Sequence, residues 1–351
     1  EMFNEIVPDV IVDKNLETHN QRDKSIDWLE DISLKNTGKD YLGEQPWYNT
    51  IVAPSNPGES TTQVPAVDIS LEWVYGMRSH DSRRTAVYAK GNELTYIASN
   101  VLVLYNQGEH KQRHGRGHPT AIVALATSPD GDILATGDIG DRPRIILWDS
   151  RTLTKIRATQ GLHRNAIRAL DFSPDGSMLL SMGQDAAHTI AVWDVSSGNL
   201  RASVRGGNDK VFDIKFAPDS QSFCSVGIQH IKFHEIRGRN IATKKGIIGH
   251  EKNAELQTFL CVGYAGDGAV AGTSDGCIYR FDGRNLETVI REAHDGLVNT
   301  IYTGEDRLIS GGYDGKVKIS NVKSKIKFEL DNSILISKLI DGKFPNYIQV
   351  I

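Results

Sequence analysis

Between residues 118 and 330 the chain repeats a pattern every 42 to 45 residues, which confines it to an array of similar units packed side by side. His118, His163, Asn208, His250 and His294 mark the phase, at intervals of 45, 45, 42 and 44. Three of them sit in GH-like dipeptides (Gly117-His118, Gly249-His250, Ala293-His294), while His163 falls in GLHRN and Asn208 in GGNDK. A second marker keeps step. SPDG occurs at Ser128–Gly131 and at Ser173–Gly176, with APDS at Ala217–Ser220 and AGDG at Ala265–Gly268. A third marker closes an alternating stretch: ILWD ending at Asp149, AVWD at Asp194 and YRFD at Asp282.

Each unit has the chemistry of short antiparallel strands. AIVALATSPDGDILATGD alternates small and apolar residues, turns at Pro-Asp-Gly and resumes with β-forming residues. Proline presets φ in such a turn, and glycine takes the position with positive φ. AIRALDFSPDGSMLLSMGQD and LVNTIYTGEDRLISGGYDG follow the same plan. Evenly spaced strands between Gly/Asp turns predict an all-β fold, and this period with four strands per unit predicts a β-propeller. The body resembles the WD-repeat family over units 118–162, 163–206, 207–249, 250–293 and 294–330.

That resemblance implies a structural tetrad inside a blade, made of the GH histidine, a strand hydroxyl, a turn aspartate and the WD tryptophan. Imidazole bridges carboxylate to hydroxyl, and the hydroxyl meets the indole N–H, so that buried polar groups are satisfied. His163, Ser181, Asp185 and Trp193 supply all four members. His250 with Thr273 or Ser274 and Asp275 matches with Phe281 in the tryptophan's place, and His294, Ser310 and Asp314 match with Ser320 there. These histidines read as structural.

Composition closes off several classes. The 44 acidic and 40 basic side chains nearly balance, which argues against a nucleic-acid binder with a general basic face. No apolar run approaches the roughly 20 residues of a membrane span. The opening EMFNEIVPDV has neither the basic nor the apolar region of a secretory signal, and Cys224, Cys261 and Cys277 have unrelated spacings. A reducing cytoplasmic compartment, with no membrane or nucleic-acid partner, is expected. Residues 1–65 hold 12 acidic and 5 basic side chains, leaving 32 and 35 for the remainder. With Pro46, Pro54, Pro57, Pro65 and SNPGESTTQ, this lead-in reads as an acidic linker or strap, anchored at Asp27-Trp28-Leu29 and Pro46-Trp47-Tyr48.

Residues 66–117 form a further blade-like stretch without GH or WD markers, its strands turning at Gly91-Asn92. It opens with Leu71-Glu72-Trp73-Val74-Tyr75-Gly76, continues through Arg78, Asp81, Ser82 and Arg83, and reaches VLYN at Val103–Asn106 and EHKQRHGRGH from Glu109. These elements are similar to the hydrophobic (HELP) motif of the echinoderm microtubule-associated protein-like family, over roughly 66–351. The resemblance implies a propeller of about seven blades, the first built by the HELP motif (66–117) and the last incomplete (331–351). It also implies a second propeller in the full-length chain, with Trp73, Val74 and Tyr75 filling the interface between propellers or the core.

The family implies tubulin and microtubules as partners, in the cytoplasm and its cytoskeleton, the cilium or axoneme being one such setting. Arg78, Arg83, Arg84, Lys111, Arg113 and Arg116 concentrate positive charge around the motif, suited to an acidic partner. Two other roles are a scaffold in a ciliary or other cytoskeletal assembly without tubulin contact, and a substrate receptor of a cullin–RING ubiquitin ligase. The last rests on Trp148-Asp149-Ser150-Arg151, with FDGR at Phe281–Arg284 as a weaker echo three blades away.

Enzymatic motifs lack their context. Gly272-Thr273-Ser274-Asp275-Gly276 matches G-x-S-x-G, but a hydrolase needs it on a strand-turn-helix elbow and here it falls between strands. His114 and His118 are four apart on an extended segment, with no Cys or carboxylate set to complete a metal site. Gly315-Lys316 lacks the upstream glycine of a phosphate loop. No cofactor is implied, and the reading is of a non-catalytic interaction module.

Overall fold

Each unit folds into a four-stranded antiparallel meander because its turns are hydrogen-bonded from within. In the first SPDG turn, Gly131 N–H donates to Ser128 O (2.9 Å), Ile133 N–H to Ser128 Oγ (2.9 Å) and Asp132 N–H to Asp130 Oδ1 (3.0 Å). Gly131 has φ of 73°, and a Cβ there would sit 2.8 Å from the Lys90 backbone nitrogen, so the turn requires glycine. The second SPDG turn repeats the pattern, with Met178 N–H donating to Ser173 Oγ (2.9 Å) and Ser177 N–H to Asp175 Oδ1 (3.1 Å).

The computed structural model describes residues 55–56, 70–79, 81–249, 254–304, 307–323 and 327–335. Among them there is no helix, and the strands form six four-stranded sheets, the blades of a β-propeller. Blade 1 holds β1 (Ala86–Ala89), β2 (Glu93–Ala98), β3 (Val101–Asn106) and β4 (Lys111–Arg116). Blade 2 holds β5 (Ile122–Thr127), β6 (Ile133–Asp138), β7 (Arg144–Asp149) and β8 (Lys155–Gln160). Blade 3 holds β9 (Ile167–Phe172), β10 (Met178–Gly183), β11 (Thr189–Asp194) and β12 (Leu200–Arg205). Blade 4 holds β13 (Val211–Phe216), β14 (Ser222–Gly227), β15 (His230–Arg237) and β16 (Asn240–Lys245). Blade 5 holds β17 (Phe259–Ala265), β18 (Gly268–Thr273), β19 (Ile278–Asp282) and β20 (Asn285–Ile290). Blade 6 holds β21 (Val298–Thr303), β22 (Arg307–Gly312), β23 (Lys316–Lys323) and β24 (Lys327–Leu335).

In each blade the strands pair in chain order, and the first strand is the innermost, β5 packing beside β9, β9 beside β13 and β13 beside β17. The core lies between blades. Leu170, Phe172, Leu179 and Trp193 on the leading face of blade 3 pack on Ala124, Ala135, Ile145 and Leu147 of blade 2. Its trailing face sends Met178, Leu180 and Val192 against Ile214, Phe216 and Phe223 of blade 4. Alternation along each strand therefore buries both faces, which is why β10 is buried at every position.

The repeat boundaries at 162, 206, 249 and 293 fall in the loops between sheets, whereas the boundary expected at 330 falls inside β24. Residues 331–335, expected to open a seventh unit, instead pair with β23, where Leu335 faces Lys316 and Ile334 faces Val317. The rest of that expected unit, the strap anchors at Asp27–Leu29 and Pro46–Tyr48, and His250 lie outside the described residues.

Candidate functional site

The HELP segment is irregular backbone at Ser70–Ser79 and Asp81–Thr85 and crosses blade 1 from its outer strand to the axis. Gln112, on β4, holds it at one end: Val74 N–H donates to Gln112 Oε1 (2.8 Å), while Gln112 Nε2 donates to Val74 O (3.1 Å) and to Tyr96 Oη (2.9 Å). Trp73 packs against His110 (centroids 4.9 Å apart) and edge-on against Tyr105 (5.9 Å), whose hydroxyl lies 2.8 Å from His110 Nδ1. The segment thus covers the leading face of blade 1, with Leu71 half-buried and Glu72 and Gly76 exposed. Tyr75 is 87% exposed, its ring touching only that of Trp73 among the described aromatic residues, at 6.2 Å between centroids.

Further along, the arginines turn inward. Arg78 N–H donates to Ile97 O (2.9 Å), and its buried guanidinium forms a fork with Asp81, Nε to Oδ1 at 2.7 Å. Arg84 donates to Asp213 Oδ2 (2.8 Å) on β13 and to Val262 O (3.0 Å) on β17; Arg83 donates to Leu260 O on β17 and lies over the Phe212 ring. From β9, Arg168 donates to Asp81 O (2.8 Å). Burial, with Arg83 nearby, pushes the Arg168 guanidinium down to about 10. Arg78, Arg83 and Arg84 were expected on a partner-facing surface; they are instead spent on the inner strands of blades 4 and 5 and on Asp81. Sequence clustering of charge does not distinguish an axis from a rim.

The other three cations lie on β4. Lys111 is exposed beside Glu109 (3.2 Å), and Arg116 is exposed. Arg113 is partly buried, with bonds to Glu93 and to the carbonyls of Ser150 and Arg151 that tie blade 1 to blade 2.

The polar networks inside the blades follow one geometry. In blade 2, absent from the tetrads read in the sequence, Trp148 Nε1 donates to Thr136 Oγ1 (2.7 Å), which lies 2.7 Å from His118 Nε2, and His118 Nδ1 lies 2.8 Å from Asp138 Oδ2. An unprotonated Nδ1 facing a carboxylate is repulsive, so Nδ1 carries the proton and Thr136 gives its own to Nε2. In blade 3, Trp193 Nε1 donates to Ser181 Oγ (2.7 Å), which lies 2.7 Å from His163 Nε2, while Asp185 stands 3.9 Å from Nδ1. Burial would raise the Asp185 carboxyl, but His163 and the Thr189 N–H and hydroxyl hold it well below the usual range. In blade 6, His294 lies 2.8 Å from Ser310 and 3.0 Å from Asp314.

Blades 4 and 5 depart from the pattern. Register places Ala271, not Thr273, at the hydroxyl position of blade 5, because Ala269 faces Phe281 as Leu179 faces Trp193. Thr273 instead donates to Asp275 and to Cys277 O in its own turn. In blade 4, whose loop lacks the marker histidine, two histidines of β15 stand in. His234 faces Phe223 across the sheet, the tryptophan's place, and its Nε2 lies 2.9 Å from Ser225 Oγ. His230 Nε2 lies 2.8 Å from the same hydroxyl. Two histidines four apart on a strand share a face, and that spacing was the available sequence signal.

The remaining motifs take part in local structure. Ser274 sits in the turn joining β18 to β19, with its N–H donated to Thr258 O (2.9 Å). Asp149 accepts from Arg151 N–H (2.9 Å) and Thr152 N–H (2.8 Å), and Arg151 pairs with Asp132 (3.3 Å), so the WDSR element caps its own turn. Cys224 and Cys261 are buried thiols, the latter pushed up to about 12 by burial. No cluster of three or more metal-binding side chains occurs among the described residues.

Comparison with known proteins fits this geometry. Residues 111–339 match a family profile described as the echinoderm microtubule-associated protein first beta-propeller, and residues 64–103 match the HELP motif. The chain belongs to the echinoderm microtubule-associated protein family. It is 29% identical over 277 residues to human echinoderm microtubule-associated protein-like 2, covering 74% of this chain and 42% of that protein. It is 30% identical over 270 residues to the rat echinoderm microtubule-associated protein-like 1, covering 72% and 33%. The chain therefore spans about a third to two fifths of the length of these family members. The crystal structure of RRP9 WD40 repeats superposes with a TM-score of 0.60 at 17% identity, over 74% of this chain and 82% of that one, which shows the shared WD-repeat fold.

Proposed function

We propose that this propeller is an interaction module that binds tubulin or the microtubule lattice, in the cytoplasm, and contributes to microtubule organisation or stability. The observation that carries the reading is the rim of β4, where Lys111 and Arg116 remain exposed after the axial arginines have been spent. The pair between Lys111 and Glu109 is exposed on both sides, so it restrains Lys111 little. Such rim charges raise the association rate with an acidic surface and make it salt-dependent. The word "first" in the matched profile supports a second propeller in the full-length protein, and the bare ring of Tyr75 is the contact we assign to it. Microtubule co-sedimentation at two salt concentrations tests the reading. Pelleting should weaken with salt, and Lys111→Glu combined with Arg116→Glu should weaken it roughly five- to tenfold. Equal pelleting of the folded double variant, or no binding of the parent protein to either microtubules or soluble tubulin, overturns it.

A further inference from the structure

Blade 4 is the one described blade in which a tetrad-like network of histidines ends without a carboxylate of its own. In blades 2, 3 and 6 the outward ring nitrogen, Nδ1, faces Asp138, Asp185 or Asp314. Those aspartates sit at or beyond the end of the second strand, where the chain takes several residues to reach the third. Between β14 and β15 the connection is only Ile228-Gln229, and neither it nor the strand end at Gly227 carries a carboxylate. His230 is nonetheless buried (6% exposed), and its Nδ1 has no hydrogen-bond partner among the described residues.

What surrounds that nitrogen is positive. A Cβ on Gly207 would lie 3.3 Å from Lys232 Nζ and 3.7 Å from His230 Nδ1, so the missing side chain leaves a small space bordered by both nitrogens. Lys232 faces Lys245 directly across the strands, and its amine donates to Gly206 O. Among the described residues neither lysine has a carboxylate within salt-bridge distance. Burial and Lys245 push the Lys232 amine down, with Asp209 opposing them. Burial, Lys232, His188 and Lys245 hold His230 down at about 3, so the ring is neutral and carries one proton.

That proton has two places to be. Thr243 Oγ1 lies 2.9 Å from His234 Nδ1, and the chain continues through His234 Nε2, Ser225 Oγ and His230 Nε2. Blade 2 has an indole, which can only donate and so fixes the direction; here every member both donates and accepts, and the chain can run either way. A carboxylate over Gly207 selects the direction that leaves N–H on His230 Nδ1.

We propose that blade 4 completes its network with a carboxylate from outside: an aspartate or glutamate side chain of a partner polypeptide, seated over Gly207 between His230 Nδ1 and Lys232 Nζ. In blades 2, 3 and 6 the group facing the histidine Nδ1 is a carboxylate, so a carboxylate rather than a phosphate is assigned to that place here. The inference does not rest on the microtubule reading.

The probe is a blocked tetraglutamate peptide added to the whole chain, followed by calorimetry and by NMR of the histidine rings. Saturable binding is expected, with the His230 ring nitrogens shifting as the tautomer settles. Lys232→Met should weaken binding at least about tenfold, the loss of one charge-assisted bond. Its melting temperature should stay near the parent's, since relief of the like-charge pair with Lys245 offsets the lost bond to Gly206 O. Lys244→Gln, whose side chain stems from the opposite face beside Phe233, should bind as the parent does. Unmoved His230 signals, equal affinity of Lys232→Met, or displacement of the peptide by inorganic phosphate at equal concentration would each overturn the assignment.

Discussion

The bond from Trp148 Nε1 to Thr136 shows what a single residue contributes to a blade. Trp148 is 1% exposed and its indole fills the gap between blades 1 and 2, so Trp148→Phe keeps most of the buried area and removes the donor. Blade 5 carries Phe281 at the matching place, fully buried, which shows that the architecture accepts the ring without the nitrogen. We expect Trp148→Phe to fold and to lose about 1–3 kcal/mol in urea unfolding, from the lost bond and a small void. A loss below a few tenths would mean that Thr136 finds another donor at no cost. At this scale the sequence is legible where a residue recurs at a fixed offset: His118, Thr136 and Trp148 repeat the spacing of His163, Ser181 and Trp193. It is weaker at His230 and His234: their spacing puts both on one face, but their roles pass to another strand and register is needed to place them.

The HELP segment behaves as an element without secondary structure of its own. Its order depends on what it touches, and the Gln112 side chain supplies two of its backbone bonds at Val74. Gln112→Leu keeps the size of the side chain and deletes both bonds together with the contact to Tyr96 Oη. Residues 71–77 should then exchange amide hydrogens roughly tenfold faster, or more, while β2 and β3 keep their protection. Equal slowing or speeding of all blade 1 strands would show that segment and sheet open as one unit. The strands themselves were legible because alternation, Pro-Asp-Gly turns and Gly91-Asn92 (φ of 81° and 61°) each specify local geometry. The direction of Arg78, Arg83 and Arg84 was not. The partners of Arg83 and Arg84, namely Leu260, Asp213 and Val262, lie more than a hundred residues away, and no local pattern encodes that meeting; Arg78 is held by Asp81, three residues on.

Across the ring, Arg84 is where distant parts of the molecule meet. It reaches from the entry to β1 over to β13 and β17, and Asp213 Oδ2, its partner, also accepts the Val262 N–H (3.0 Å). One carboxylate thus joins blades 4 and 5 to the HELP segment. Burial pushes the Asp213 carboxyl up, opposed by Arg84 and the Val262 N–H. Removing Arg84 strands the buried charge, and Arg84→Met should cost about 3–5 kcal/mol at neutral pH. The pH dependence follows from the sign. A carboxyl whose folded pKa lies above its unfolded value adds stability below the unfolded pKa and loses it as pH rises through the folded one. Without Arg84 the folded value climbs further, so the variant's deficit should be smaller at roughly pH 5 than at pH 8, and a pH-independent deficit would place the cost in packing. Because the contact spans the ring, the urea midpoint should fall with the slope unchanged; a shallower slope would mean that blades 4 and 5 come apart before the rest.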